Sequence, residues 1–346
     1  MKISARILIS IILVLFSIPT LAWRVLPLLS YSPNSGVMFG GVVSHNMKTP
    51  FNPFAFNCMA QVFTNGSVFI KPEFNFPLHN GILNIKAEYR VDNDASFYGW
   101  GNDGDEDVNA SYDRQMQCIS GIYGFSPAAG FALSTGIRVN HSTVYDRLED
   151  TLWAQSPCSD YGSLWSAGPL FEAHWLFPSL ITGYTSIEME HQMGSGFSYS
   201  NAAAALAFFT PIGNSTTPAF RIRGEKHFGT SETPFPYLPG LGRKSGLRGY
   251  HDRRFGGSWT LLANLELRQR LFSFKIDESN TIEIGVVLFG DAGQVTDDLD
   301  EVRWNRFHLD GGLGLRVIIP GGGTFRLDFA VSPEGPGMQM AFGELF

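Results

Sequence analysis

Cysteine, charge and long apolar runs are all scarce in this chain, and each scarcity excludes a class of protein. The 346 residues hold three cysteines, Cys58, Cys118 and Cys158, far apart and odd in number. That suits neither a small disulfide framework nor a zinc site. Buried or lipid-facing thiols are the expectation, with a Cys118–Cys158 bridge left open. Charged residues make up 16% of the chain and the net charge is −7, so the basic surplus of a nucleic-acid binder is missing and no nucleic acid is expected as a partner. Beyond residue 22 no run of about 18 apolar residues occurs, which excludes a helical membrane span.

Catalytic signatures are missing too. No GxSxG or HExxH occurs. Gly99-Trp-Gly101-Asn-Asp-Gly104 matches GxGxxG literally, but acidic residues and no helix follow it, so it does not suit a nucleotide phosphate. Asp103, Asp105 and Asp107 imitate the start of a calcium loop, yet Val108 stands where its glycine belongs and Arg114 where its glutamate belongs. His174, His191, His227, His251 and His308 are scattered over different segments, and no Ser–His–orienter trio shares a face. No enzyme activity, cofactor or metal is expected.

What is abundant is glycine (38) and phenylalanine (29), a mixture suited to many strands, many tight turns and an apolar outer face. The first 22 residues read as a secretory signal. Lys2 and Arg6 precede an apolar core at 7–18, and Pro19-Thr20-Leu21-Ala22 offers small residues for cleavage after Ala22. The domain plan is thus a signal at 1–22 and one unit at 23–346.

That unit alternates with period two. Leu261, Ala263, Leu265 and Leu267 oppose Asn264, Glu266, Arg268 and Arg270. Leu309, Leu313 and Leu315 oppose Asp310, Gly312, Gly314 and Arg316. Phe325, Leu327, Phe329 and Val331 oppose Arg326 and Asp328. The polar faces carry both charge signs among glycines, which suits an interior with its own partners. Apolar-out and polar-in alternation over about ten residues is the signature of an outer-membrane barrel. Sixteen strands are predicted, from 24–30 and 36–46 through 81–91 and 280–290 to 322–332 and 337–346. Short connections at 77–81, 126–130, 177–180 and 320–323 fall on one parity. Long ones at 92–110, 141–163, 229–256 and 291–305 fall on the other. Aromatic residues near strand ends, such as Trp23, Tyr31, Trp165, Trp175 and Tyr184, suit interface girdles. The fold class is therefore all-β, a 16-stranded antiparallel transmembrane β-barrel in a Gram-negative outer membrane, with lipid as its surroundings.

One stretch resists the strand reading. Residues 238–254, LPGLGRKSGLRGYHDRR, carry five arginines and lysines among glycines. A guanidinium drawn into a narrow lumen must be paired and hydrogen-bonded. By alternation from Ile282, Ile284, Val286 and Leu288, the opposite face of the next strand but one carries Phe289 and Asp291. Asp291 is the expected partner of Arg248, with Glu266 and Asp310 as alternates. Gly246 and Gly249 would let the tip turn or approach closely.

The tip Leu247-Arg248-Gly249-Tyr250, with the wall sequence Phe289-Gly-Asp291-Ala-Gly293, resembles the outer-membrane assembly and translocation superfamily of BamA- and TamA-like bacterial surface antigens. In that family an RG[FY] loop tip folds into the lumen and meets an FxDxG wall motif. Residues 29–41, 97–103 and 311–328 are similar to its first hairpin, a loop of its shorter members and its strand 14–15 pattern. Phe346, closing an alternating segment, resembles the terminal aromatic of the recognition strand of bacterial outer-membrane proteins. The resemblance implies a lumen-folded loop between strands 11 and 12. It also implies a role in placing protein or lipid in the outer membrane, with nascent outer-membrane or secreted proteins and separate periplasmic factors as partners. The alternative is a passive pore or a surface-exposed structural antigen on the same barrel. The family's periplasmic POTRA modules find no counterpart between 23 and the first strand.

Overall fold

The computed structural model describes residues 18–20, 23–32, 36–47, 54–104, 110–145, 162–177, 182–194, 196–229, 233–275, 281–319 and 323–346. Most of the expected signal segment, and Cys158, lie outside these residues.

Among the described residues, one antiparallel sheet contains sixteen long strands. The first eight are β1 (Trp23–Ser32), β2 (Gly36–Met47), β3 (Phe54–Phe63), β4 (Val68–Leu78), β5 (Gly81–Phe97), β6 (Ala110–Ala128), β7 (Phe131–Tyr145) and β8 (Ser163–Phe177). The second eight are β9 (Thr182–Gly194), β10 (Ser198–Phe209), β11 (Thr216–Gly229), β12 (Trp259–Lys275), β13 (Thr281–Thr296), β14 (His308–Ile319), β15 (Gly323–Ser332) and β16 (Gly335–Phe342). Each pairs with its neighbours in sequence. Such a meander needs only hairpins, and the connections obey the expected parity. β4–β5 and β6–β7 close through two residues, whereas β11–β12 spans 230–258.

Side chains sort by alternation. Leu265, Leu288, Leu313 and Val331 are about 60% exposed on one face. Asn264, Glu266, Asp291 and Asp328 are buried on the other. The outer face is thus apolar and the inner face ionic, the reverse of a soluble sandwich. Near the short connections the apolar face packs on itself, with Ile282, Val317, Phe325 and Leu327 buried together.

Three expectations need correction. First, the sheet is not closed into a barrel: consecutive strands share ladders from β1 to β16, but none of the described registers joins β16 back to β1. A physical reason lies at the edge of β1. Ile18–Thr20 folds back on it antiparallel, with Ile18 opposite Val25 and Thr20 opposite Trp23, and occupies groups a closing strand would need. Second, β5 runs six residues past its predicted end. Asp92 and Asp94 look like turn residues, but a bulge between Asp92 and Ala95 absorbs the irregularity, with Asp94 at φ +56° and Asp92 paired to Arg90 and Arg114. β13 likewise continues to Thr296, because β12 runs on beside it to Trp259. Third, the last strand stops at Phe342, and residues 343–346 leave the sheet.

Candidate functional site

The β11–β12 connection lies against the ionic face of β12–β14. Its neck is a two-residue ladder, Gly240–Leu241 with Phe255–Gly256. A single 3-10 turn, Arg243–Ser245, follows and is tightened by the Gly242 N–H donating to Ser245 Oγ at 2.8 Å. Apolar anchors seat the tip: Leu241, Leu247, Tyr250 and Phe255 are buried together with Leu262 of β12 and Val295 of β13. A Cβ on Gly293 would stand 2.9 Å from Leu241 and 3.3 Å from Leu247, so that wall glycine makes room for the tip.

Gly246, at φ +115°, turns the chain. Gly249 then passes β14 and β15 so closely that a Cβ there would lie 2.6 Å from the Asp310 Cβ. Its carbonyl accepts from Ser332 Oγ at 3.0 Å. Between these glycines Arg248 is driven into the wall, its side chain wholly buried. Nε and Nη2 donate to the two carboxylate oxygens of Asp291 at 2.7 and 2.8 Å. Nη1 donates to Glu266 Oε1 at 2.6 Å. The guanidinium lies 3.5 Å from the Phe289 ring centroid. Burial alone would pull the Arg248 pKa down. The hydrogen bonds that Arg248 donates to Asp291, and the charges of Asp291, Glu266 and Asp328, outweigh it and raise the pKa above the ordinary arginine value. A bidentate, aromatic-backed guanidinium of this kind fixes geometry as well as charge.

Asp310 is not among the hydrogen-bond partners of Arg248. The β13–β14 register sets it opposite Asp291, and the Asp291 carboxylate is the one turned to the guanidinium. Tyr250 donates its hydroxyl to the Leu309 carbonyl at 3.2 Å. Burial, helped by Glu334 and Asp310, pushes that phenol up to about 12.

Several members of the network went unassigned in the sequence reading. Asn264 donates to Asp291 Oδ1 at 2.7 Å and to the Gly246 carbonyl at 2.8 Å, and its own oxygen accepts from Arg221 Nη2 at 2.7 Å. Asp328 accepts from Arg316 at 2.6 Å and Arg326 at 3.2 Å, and Arg268 backs Glu266 at 2.8 Å. Their signal was the same inward alternation that singled out Asp291. What the sequence lacked was which inward residues stand level with the tip.

Residues 98–104 form a strap over the neck. Asn102 donates to the Arg306 carbonyl at 3.0 Å and accepts from the Val295 N–H at 2.9 Å. Its carbonyl contacts His308 Nε2 at 2.7 Å. Arg254 donates to the Gly104 carbonyl, and Arg306 pairs with Asp103. Gly99 and Gly101 of the literal GxGxxG turn the strap at φ +82° and +118°, and the Gly101 N–H donates to the Gly256 carbonyl at 2.8 Å. Cys58 and Cys118 are free thiols. Trp165 and Trp175 are more than half exposed, as girdle aromatics should be. Phe346 is turned inward instead, against the guanidinium groups of Arg221 and Arg268.

Residues 181–343 match the model of the Omp85 superfamily domain. Among solved structures the chain resembles BamA from Haemophilus ducreyi lacking POTRA domains 1–3, at 14% identity and a TM-score of 0.61, over 90% of this chain and 67% of that one. It resembles CdiB from Escherichia coli at 10% identity and a TM-score of 0.62, over 94% of this chain and 62% of that one. CdiB from Acinetobacter baumannii follows at 12% and 0.52, over 92% of this chain and 58% of that one. The chain thus spans about six-tenths to two-thirds of the length of these proteins. No curated protein sequence matches it. At these identities the structures speak for the fold, and the sequence match speaks for residues 181–343. Residues 181–343 thus resemble the Omp85 superfamily domain, on a sheet that resembles that of BamA.

Proposed function

We propose that this chain is an integral outer-membrane β-barrel that assists insertion or translocation of protein at that membrane, with the β11–β12 connection folded into its lumen as a plug. The observation that carries the reading is the buried Arg248, held by Asp291 and Glu266 behind an otherwise apolar outer wall. In hydrocarbon each unpaired backbone group costs several kcal/mol, so the β16–β1 seam closes or takes an incoming strand. β1 is suited to a weak seam because Pro27 has no N–H to give the ladder. Export by the 1–22 signal brings the chain to that membrane. Nascent outer-membrane or secreted chains are the partners this reading calls for.

The test pairs two measurements on refolded protein, wild type beside Arg248→Ala. In planar bilayers the wild type is expected to be quiet and the variant to open in large noisy steps. In vesicles the wild type is expected to speed the folding of a urea-denatured outer-membrane protein. A large steady conductance in both proteins, with no gain in client folding, would point to a passive pore.

A further inference from the structure

The end of the chain occupies a place of its own on the ionic face. β16 ends at Phe342, Gly343 turns at φ +85°, and residues 344–346 cross toward β10–β12 on the side of the short connections. None of the three belongs to a ladder. They are held by side chains instead. Glu344 accepts from Arg316 Nε at 3.4 Å. The Leu345 carbonyl accepts from Arg221 Nη1 at 3.0 Å. The main-chain oxygen of Phe346 accepts from Arg268 Nη2 at 3.1 Å. The Phe346 ring lies 5.0 and 5.1 Å from the Arg221 and Arg268 guanidinium carbons and 5.9 Å from the Phe209 ring.

We infer that Phe209, Arg221, Arg268 and Arg316 form a binding site for a short peptide in which an acidic residue precedes an aromatic by two positions, occupied in this structure by the chain's own Glu-Leu-Phe. The chemistry is specific in three ways. A guanidinium reads the acid, two more read main-chain oxygens, and the same two present their faces to a ring that a second aromatic, Phe209, backs. The occupant is exchangeable because it contributes no strand pairing. The site is also wired to the lock, since Arg221 bonds both Leu345 and Asn264, and Asn264 bonds Asp291. The inference stands on the fold alone and does not require that the sheet span a membrane or that the chain handle clients.

A tail tethered next to its site competes at an effective concentration of order mM. The experiment therefore uses folded protein in detergent lacking residues 343–346, with N-terminally fluorescein-labelled Gly-Glu-Leu-Phe as the probe and anisotropy as the readout. Saturable binding is expected. It should weaken at least tenfold with Gly-Glu-Leu-Ala, at least tenfold when the protein also carries Arg268→Ala, and at least tenfold in the intact chain. Absent or unsaturable binding, or binding indifferent to both substitutions, overturns the inference. Should the shortened chain fail to show heat-modifiable migration, full-length Phe346→Ala takes its place. It vacates the ring position and must then bind the probe more tightly than wild type; equal binding overturns the inference.

Discussion

A buried arginine surrounded by carboxylates is costly to assemble and costlier to disrupt. Arg248 answers Asp291, Glu266 and, at 3.8 Å, Asp328. Truncating it leaves acids buried without their cation, and removing one partner of a buried ion pair costs about 3–5 kcal/mol. Arg248→Ala is therefore expected to lose stability on that scale in a urea titration. Arg248→Lys should recover only part of it, because an ammonium cannot donate to both Asp291 oxygens in the same fork. Tyr250 gives a pH test on the same loop. Its folded value of about 12 lies above the ordinary 10, so the neutral phenol's contribution is complete below about pH 10 and is lost as pH rises toward 12. An absorbance titration should show a late-ionising tyrosine that Tyr250→Phe removes.

Among the elements, the strap and the loop neck support each other through Asn102. Asn102→Ala would leave the Val295 N–H without its acceptor, a loss of about 1–3 kcal/mol for a buried donor. Proteolysis within 297–307 should then speed up while the sheet stays protected. At this scale the limits of sequence reading are plain. Period-two alternation was enough to place the strand cores and to set Asp291, Glu266 and Phe289 on the inner face, because which face a residue takes depends only on parity; Arg248 was marked instead by the basic, glycine-rich stretch that breaks the alternation. It could not foresee that β5 continues through Asp94, since a bulge is a property of two strands. Nor could it place Asn102 beside His308, about two hundred residues away, because side chains of distant loops meet through tertiary packing. Phe346 misled for a related reason. An aromatic ending to an alternating segment looks like a strand, and only the guanidinium groups of Arg221 and Arg268 on other strands draw it off the ladder.

For the whole molecule, the division into an apolar outer face and an ionic inner one governs what each substitution does. Leu313 is about 60% exposed on the outer face, at the same level as inward Phe289 and its arginine. In a membrane Leu313→Arg should cost about 2–4 kcal/mol at mid-depth. In detergent, where an arginine can reach water, the cost should shrink. Folding yields compared between vesicles and micelles check this, and an equal penalty in both would argue against lipid as the outer solvent. The open seam belongs to the same scale. There Ile18–Thr20 pairs only with Trp23–Val25, and β1 from Leu26 to Ser32 keeps its outer edge outside the described ladders.

The strap also determines what an immune system would recognise. Asp103 and Arg306, both substantially exposed, are neighbours in space and far apart in the chain, as are Gly104 and Arg254 beneath them. An antibody raised to this rim would therefore read a discontinuous epitope. It should bind the unheated, compact form and fail on the same protein after boiling. Linear peptides from 98–104 or 299–306 should compete poorly, because neither holds the other half of the surface.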